Sequence, residues 1–223
     1  IELDSIVIFH KDKKYFAPKN VSELKKILKR NPHSKLLSGG TDLSLIVTKE
    51  KKDIDSIIYM NSINELNYIE KKNNYIEVGA TTPLISFESF IRKYYPDFKQ
   101  ILQRYGSVQI RNVCTIAGNI ATASPIGDTL PLLLVLNAKV LIQDSNKKKV
   151  LPLNKFFISY RKTKLKKGQF IHSIRIPILK KNIFKAYKVS KRFDDDISSV
   201  CASFNLEISN QLIKNIRIAY GGM

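Results

Sequence analysis

Leu36-Leu37-Ser38-Gly39-Gly40-Thr41-Asp42-Leu43 decides the reading of this chain. A short apolar strand, Lys35 to Ser38, runs straight into two glycines, and an apolar helical stretch, Leu43 to Val47, follows at once. Strand, glycine turn and helix start is an arrangement that binds anions, because backbone N–H groups face outward with no Cβ in the way. A second small-residue segment, Thr115-Ile116-Ala117-Gly118-Asn119, offers the same chemistry. Two such turns suit a diphosphate. Neither fits G-x-G-x-x-G or G-x-x-x-x-G-K-[ST], so the Rossmann and Walker readings fail on spacing. Each turn alone is an ordinary turn; the polar groups gathered around both, including Thr122, Ser124, Asp128 and Thr129, favour a binding site.

Working outward, Val21, Leu24, Ile27 and Leu28 share one helical face behind Asn20 as N-cap, with Glu23 three residues on. Ile57 to Met60, Asn67 to Glu70 and Tyr75 to Ala80 read as strands. Thr82-Pro83 opens a helix carrying Phe87, Phe90, Ile91 and Tyr94, and Asp97 to Tyr105 is a further helix closed by Gly106. Val108 to Ile120 is a mixed stretch, and Asp128 is the expected cap of a helix from Thr129 to Leu136. Strands dominate afterwards: Lys139 to Gln143, Ile171 to Ile176, Phe184 to Ser190, Val200 to Ile208 and Leu212 to Tyr220, the last two joined at Ser209-Asn210. The class is α+β, with a seam near Ala80 separating an N-terminal α/β lobe, 1–79, from a C-terminal α+β lobe, 80–223.

The 223 residues carry 38 Lys+Arg against 19 Asp+Glu, a net charge of +19 that raises a polyanionic partner as an idea. The basic run Arg161-Lys162-Thr163-Lys164-Leu165-Lys166-Lys167 is its most concentrated part. Nucleic-acid binding finds no support, since neither a helix-turn-helix nor aromatic stacking pairs of an RNA-reading sheet are visible. Cys114 and Cys201 stand alone and His10, His33 and His172 are scattered, so no metal of the chain's own and no nucleophile with a base is expected. The longest apolar run, Leu130 to Leu136, is far too short for a membrane span. A soluble cytoplasmic setting is expected, and a chain opening on Ile1 and stopping at Gly221-Gly222-Met223 reads as a piece of a longer polypeptide.

The two glycine segments, together with Gln109-Ile110-Arg111-Asn112-Val113-Cys114, Thr122-Ala123-Ser124-Pro125-Ile126-Gly127-Asp128 and Ile218-Ala219-Tyr220-Gly221-Gly222-Met223, resemble the FAD-binding domain of molybdenum hydroxylases. Leu43 to Lys49, Phe156 to Lys162 and Lys188 through Asp195-Asp196-Ile197 add similarity to the xanthine dehydrogenases within that family. The resemblance implies a two-lobed FAD-binding fold of the vanillyl-alcohol-oxidase (PCMH) type, not Rossmann. It implies an oxidoreductase in which electrons leave a purine at a molybdopterin cofactor on another domain or subunit. They then pass two [2Fe-2S] clusters on an iron-sulfur domain, reach FAD on this chain and go to NAD, within a hetero-oligomer. Aldehyde oxidase and carbon-monoxide dehydrogenase relatives are the alternative.

By the same resemblance, Leu36, Leu37, Ser38, Gly39, Gly40, Thr41, Asp42 and Leu43 form one diphosphate loop, and Thr115, Ile116, Ala117, Gly118 and Asn119 the other. Tyr105 would pack on the flavin, Asp128 would touch FAD, Ile171 would lie near the ring, and Lys188 would place a cation near its pyrimidine edge. Val189 to Ser199 would border NAD access, with Asp195 as its acidic position. Ala117 stands where a second glycine is common, and Phe193 where vertebrate enzymes carry a basic residue. On this reading the Arg161 to Lys167 run is replaceable without loss of flavin.

Overall fold

A computed structural model describes residues 5–223; Ile1 to Asp4, the start of the expected first lobe, lie outside them. The chain opens with a hairpin, β1 (Ile6–His10) and β2 (Lys13–Ala17), which the sequence reading did not anticipate. Helix α1 (Val21–Arg30) follows, with the Asn20 carboxamide oxygen accepting from the Glu23 N–H at 2.9 Å. The Glu23 carboxylate reaches back to the Lys19 N–H, one residue earlier than a capping box requires. Then come β3 (Lys35–Leu37), α2 (Ser44–Thr48) and β4 (Ser56–Tyr59). The four strands form one sheet in the order β1-β2-β4-β3, with β4 parallel to both β2 and β3. Leu24 and Leu28 of α1 are buried with Phe16, Ile58, Met60, Ile63, Leu66 and Phe170. Each leucine contributes about 1.5–3 kcal/mol by leaving water.

The larger body is built from β5 (Ile69–Lys71), β6 (Tyr75–Gly79), helices α3 (Leu84–Ile91), α4 (Pro96–Gln103), α5 (Val108–Val113), α6 (Ile116–Thr122) and α7 (Thr129–Val135), and then β7 (Lys139–Gln143), β8 (Lys148–Pro152), β9 (Phe157–Ser159), β10 (Lys162–Thr163) and β11 (Phe170–Pro177). An antiparallel sheet, β5-β6-β11-β7-β8, backs the five helices, and Phe87, Ile91, Phe98, Leu102, Leu132 and Ile174 lie among its fully buried side chains or nearly so. Strands β5 and β6 precede Ala80, yet β6 pairs with β11 from Gly79↔Ser173 to Tyr75↔Pro177. Finally β12 (Asn182–Val189), β13 (Val200–Ser209) and β14 (Leu212–Gly221) make a three-stranded sheet whose inner face meets α4 and α7.

Several local expectations are corrected. Thr82 does not cap α3, because its hydroxyl is turned to the Tyr68 backbone, donating to the carbonyl at 2.9 Å and accepting from the N–H at 3.1 Å. The mixed stretch from Val108 is two short helices, each opened by a hydroxyl cap, Ser107 for α5 and Thr115 for α6. Gly118 thus sits in the first turn of α6, whose N–H bonds the Thr115 hydroxyl at 3.0 Å, so the second glycine segment is a helix start. The last hairpin turns on Asn210 and Gln211, both with positive φ (50° and 62°), as a tight two-residue loop requires.

Candidate functional site: a cleft between the first sheet and the helices

A cleft of about 790 Å³, inside the rough 300–1,000 Å³ range of small-molecule sites, lies where the first sheet meets the helical body. One wall is the turn after β3; the opposite wall is Thr115, Gly118 and Asn119 of α6 with Asp128 at the start of α7. Gly39 holds the two walls together. A Cβ there would fall 2.3 Å from the Val113 carbonyl oxygen and 2.6 Å from Cys114 Cα, so only glycine permits the approach. Gly40 is favoured for a different reason, its φ of +72°.

Of the residues expected to bind cofactor, Leu36, Ser38, Gly39, Gly40, Thr41, Asp42, Leu43, Tyr105, Thr115, Gly118, Asn119, Asp128 and Lys188 line the cleft. Leu37, Ile116, Ala117 and Ile171 do not, and the last three are packed into the main hydrophobic core. Asn119 is held at both ends of its carboxamide by the protein. Its amide donates to the Tyr105 hydroxyl at 3.0 Å and its carbonyl accepts from Thr129, which fixes Tyr105 against the helices. Burial pushes the Tyr105 phenol upward, with nearby Cys114 and Asp128 adding to the effect, so the ring is a neutral platform. The Cys114 thiol is likewise pushed up to about 12 by burial, which leaves no thiolate in the cleft.

Asp128 does not cap α7. Its carboxylate accepts from Lys188 Nζ at 2.7 Å and from the Ser198 hydroxyl, 60 and 70 residues further along the chain. Both charged side chains are buried, 2% exposed for Lys188 and 6% for Asp128. Lys188 also donates to the Arg104 carbonyl at 2.9 Å, so of its three N–H donors one is left for a molecule in the cleft. The cation expected at this point is therefore compensated, and the cleft is lined here by an ion pair rather than by a free charge.

Two arginines that the sequence reading gave no role shape the site from outside. Arg104 gathers the loop after β12, donating to the Lys188 carbonyl at 2.8 Å, the Ser190 hydroxyl at 2.9 Å and the Phe193 carbonyl at 3.1 Å, with its guanidinium 4.6 Å above the Phe193 ring. This holds Asp195, Asp196 and Ile197 at the cleft. Arg111 donates to the Gly106 and Tyr105 carbonyls at 2.8 and 3.3 Å, beside Glu88 at 3.6 Å, and fixes the turn that presents Tyr105. Arg111 lay inside a quoted motif, but a side chain that serves backbone carbonyls leaves no sequence signature.

The donor set fits FAD: a close-approach glycine turn and a facing helix start for a diphosphate, a neutral aromatic, and a buried amine with one free N–H. Residues 9–179 match the family described as the FAD binding domain in molybdopterin dehydrogenase, and residues 185–223 match the CO dehydrogenase flavoprotein C-terminal domain. The chain is 32% identical to a xanthine dehydrogenase of Emericella nidulans over its whole length, spanning 17% of that relative. It is 29% identical to the glyceraldehyde dehydrogenase medium chain of Sulfolobus acidocaldarius, covering 94% of this chain and 75% of that one. In fold it superposes on the carbon monoxide dehydrogenase of Hydrogenophaga pseudoflava with a TM-score of 0.88 at 24% identity, over 96% of this chain and 76% of the other. The cleft is thus that of a PCMH-type domain rather than a Rossmann fold, and the chain belongs to the FAD-binding domain family of the molybdopterin dehydrogenases.

Proposed function

We propose that this chain is the flavin module of a xanthine dehydrogenase-type molybdenum hydroxylase, carrying electrons from [2Fe-2S] clusters to NAD. The observation that supports this most directly is the Gly39 contact with Val113 and Cys114, which joins two N–H-bearing segments across one cleft of cofactor size. Bound FAD supplies the redox chemistry, accepting electrons singly and releasing them as a hydride. The protein's part is to cradle the diphosphate with backbone N–H groups at 39–41 and the start of α6, and to present Tyr105 to the ring. The last N–H of Lys188 then holds a ring acceptor, while the Arg104-anchored loop excludes water from one side. Iron-sulfur and molybdopterin domains or subunits would be its partners.

Similarity to a glyceraldehyde dehydrogenase chain favours a second reading, an aldehyde substrate at the molybdenum centre. The intact enzyme should be purified with its flavin and assayed with xanthine, hypoxanthine, nicotinate and aldehydes, with NAD and oxygen as acceptors. Purine-dependent NAD reduction is expected. Turnover of aldehydes alone would replace the first reading by the second, and an intact enzyme that is colourless near 450 nm and cannot be reconstituted with FAD would overturn both.

A further inference from the structure

The basic run Arg161 to Lys167, expected from the sequence to be dispensable for flavin, is brought to the cofactor cleft by the fold, which revises that expectation. Arg161, at a left-handed position (φ 50°), donates from Nη2 to Asp42 at 2.8 Å and so ties the β9–β10 turn to the first glycine turn. Further along, the turn between β10 and β11 docks on the loop after α1, where the Gly168 N–H donates to the Pro32 carbonyl at 3.2 Å. Gly168 has φ +76°, and Lys166 and Gln169 close the turn through two hydrogen bonds, from the Gln169 N–H to the Lys166 carbonyl and from the Lys166 N–H to the Gln169 side chain. Lys166 and Lys167 line the cleft, together with Lys35 at the start of β3. The Gly168–Pro32 hydrogen bond sets this turn beside the residues that lead into β3, so Lys166 and Lys167 lie toward the end of β3 opposite the glycine turn.

The charges of the cleft wall are distributed unevenly. Its aspartates are Asp42, Asp128, Asp195 and Asp196, of which Asp42 is paired with Arg161, Asp128 with Lys188 and Asp196 with Arg192. Lys166 and Lys167 pair with no carboxylate among the described residues. We infer that Lys166 and Lys167 are specificity residues for the adenylate half of the dinucleotide, drawing in its diphosphate by charge and so selecting FAD over riboflavin. The inference rests on the FAD reading of the cleft. Two cations acting on two phosphate charges at about 10 Å in a water-like medium change affinity roughly tenfold at low salt, and much less once the ionic strength shortens the screening length below that distance.

The test is flavin titration of the intact protein after removal of its cofactor, followed by flavin fluorescence and by the flavin content of the purified protein. Lys166→Gln/Lys167→Gln is expected to weaken FAD about tenfold at low salt, to flatten the salt dependence of FAD binding and to leave riboflavin unchanged. Lys166→Arg/Lys167→Arg should retain wild-type affinity, as should Lys180→Gln/Lys181→Gln, which removes the same charge at an exposed turn outside the cleft wall. Unchanged FAD affinity in the first variant would overturn the proposal. So would an equal loss of FAD and riboflavin, or an equal loss in the Lys180/Lys181 control. Failure of the wild-type protein to bind any flavin would instead sink the FAD reading itself.

Discussion

The buried ion pair at the cleft makes the sharpest prediction. Lys188 and Asp128 are 2.7 Å apart with side chains 2% and 6% exposed, and the Ser198 hydroxyl completes the carboxylate's coordination. Replacing one partner leaves the other charge buried, at a cost of about 3–5 kcal/mol, whereas an exposed pair is worth about 0–1 kcal/mol. Asp128→Asn keeps the shape but removes the counter-charge, leaving the buried Lys188 ammonium with neutral carbonyl acceptors such as that of Arg104. For a chain of this size each kcal/mol lowers Tm by about 2–4 °C, so a fall of roughly 6–20 °C is expected in scanning calorimetry of the flavin-free protein. The variant Lys188→Met/Asp128→Leu/Ser198→Ala removes every member of the network together and should recover most of that loss, because apolar side chains of similar volume replace such pairs at little cost. A drop of under about 2 °C for Asp128→Asn would refute the burial argument, since that is how a solvent-screened pair behaves. A triple variant no more stable than the single one would refute the compensation argument.

Two glycines of the same turn should respond differently. Gly39→Ala places Cβ against backbone atoms of Val113 and Cys114, which cannot yield without parting the cleft walls, so the purified protein should lose its 450 nm flavin absorption; Gly40→Ala meets only the Leu37 side chain at 3.2 Å plus a left-handed strain of about 1–2 kcal/mol and should keep most of it. The reverse order would contradict the packing. The five-stranded sheet should be acid-labile in two stages. Burial holds His172 below its ordinary value, so its stabilisation is complete above about pH 6.5 and is lost as the pH falls through the folded value. Glu77 is pushed up by burial but held lower overall by the Ser173 hydroxyl and by Arg175 at 3.0 Å, so its contribution is complete above about pH 4.3 and disappears in more acid solution. A Tm that is flat from pH 7 to pH 5, or an upper step that persists in His172→Phe, would contradict this.

What the sequence disclosed was whatever depends on near neighbours. Asn20 and the apolar face of α1 are three and four residues apart and were legible, as was Gly106 after α4, with φ +51°. The glycine turn was legible because Ser38 to Asp42 is contiguous. Asp128 was misread for the same reason: an aspartate before a helical run ordinarily caps it, and nothing local announces that Lys188 of β12 and Ser198 of the loop before β13 will claim its carboxylate. The Ser107 and Thr115 caps went unseen inside one mixed stretch because α5 and α6 are each under two turns long, too short for a hydrophobic period to emerge. The pairing of β6 with β11 joins residues almost a hundred positions apart, beyond any local signal.

Net charge shows the same distinction between composition and placement. An excess of +19 is what an anion-binding surface would be expected to display, yet the charged residues lining the cleft are four lysines, Lys35, Lys166, Lys167 and Lys188, against four aspartates. The formal charge of the wall is zero, so the excess lies elsewhere on the molecule and cannot locate the site. What matters for a dinucleotide is how the balance is arranged. Carboxylates with cationic partners lie near the turn of Asp42, the ion pair of Asp128 and the loop of Asp196, and three lysines without carboxylate partners among the described residues, Lys35, Lys166 and Lys167, line the rest of the wall. A neutral wall with this polarity attracts a diphosphate at one side, while on the Lys188 side the Asp128 pair is compensated and Asp195 is a carboxylate without an ion-pair partner among the described residues, which suits a ligand whose negative charge is concentrated in one half. Raising the overall charge further, by substitutions away from the cleft, should therefore change flavin affinity far less than exchanging Lys166 and Lys167 alone.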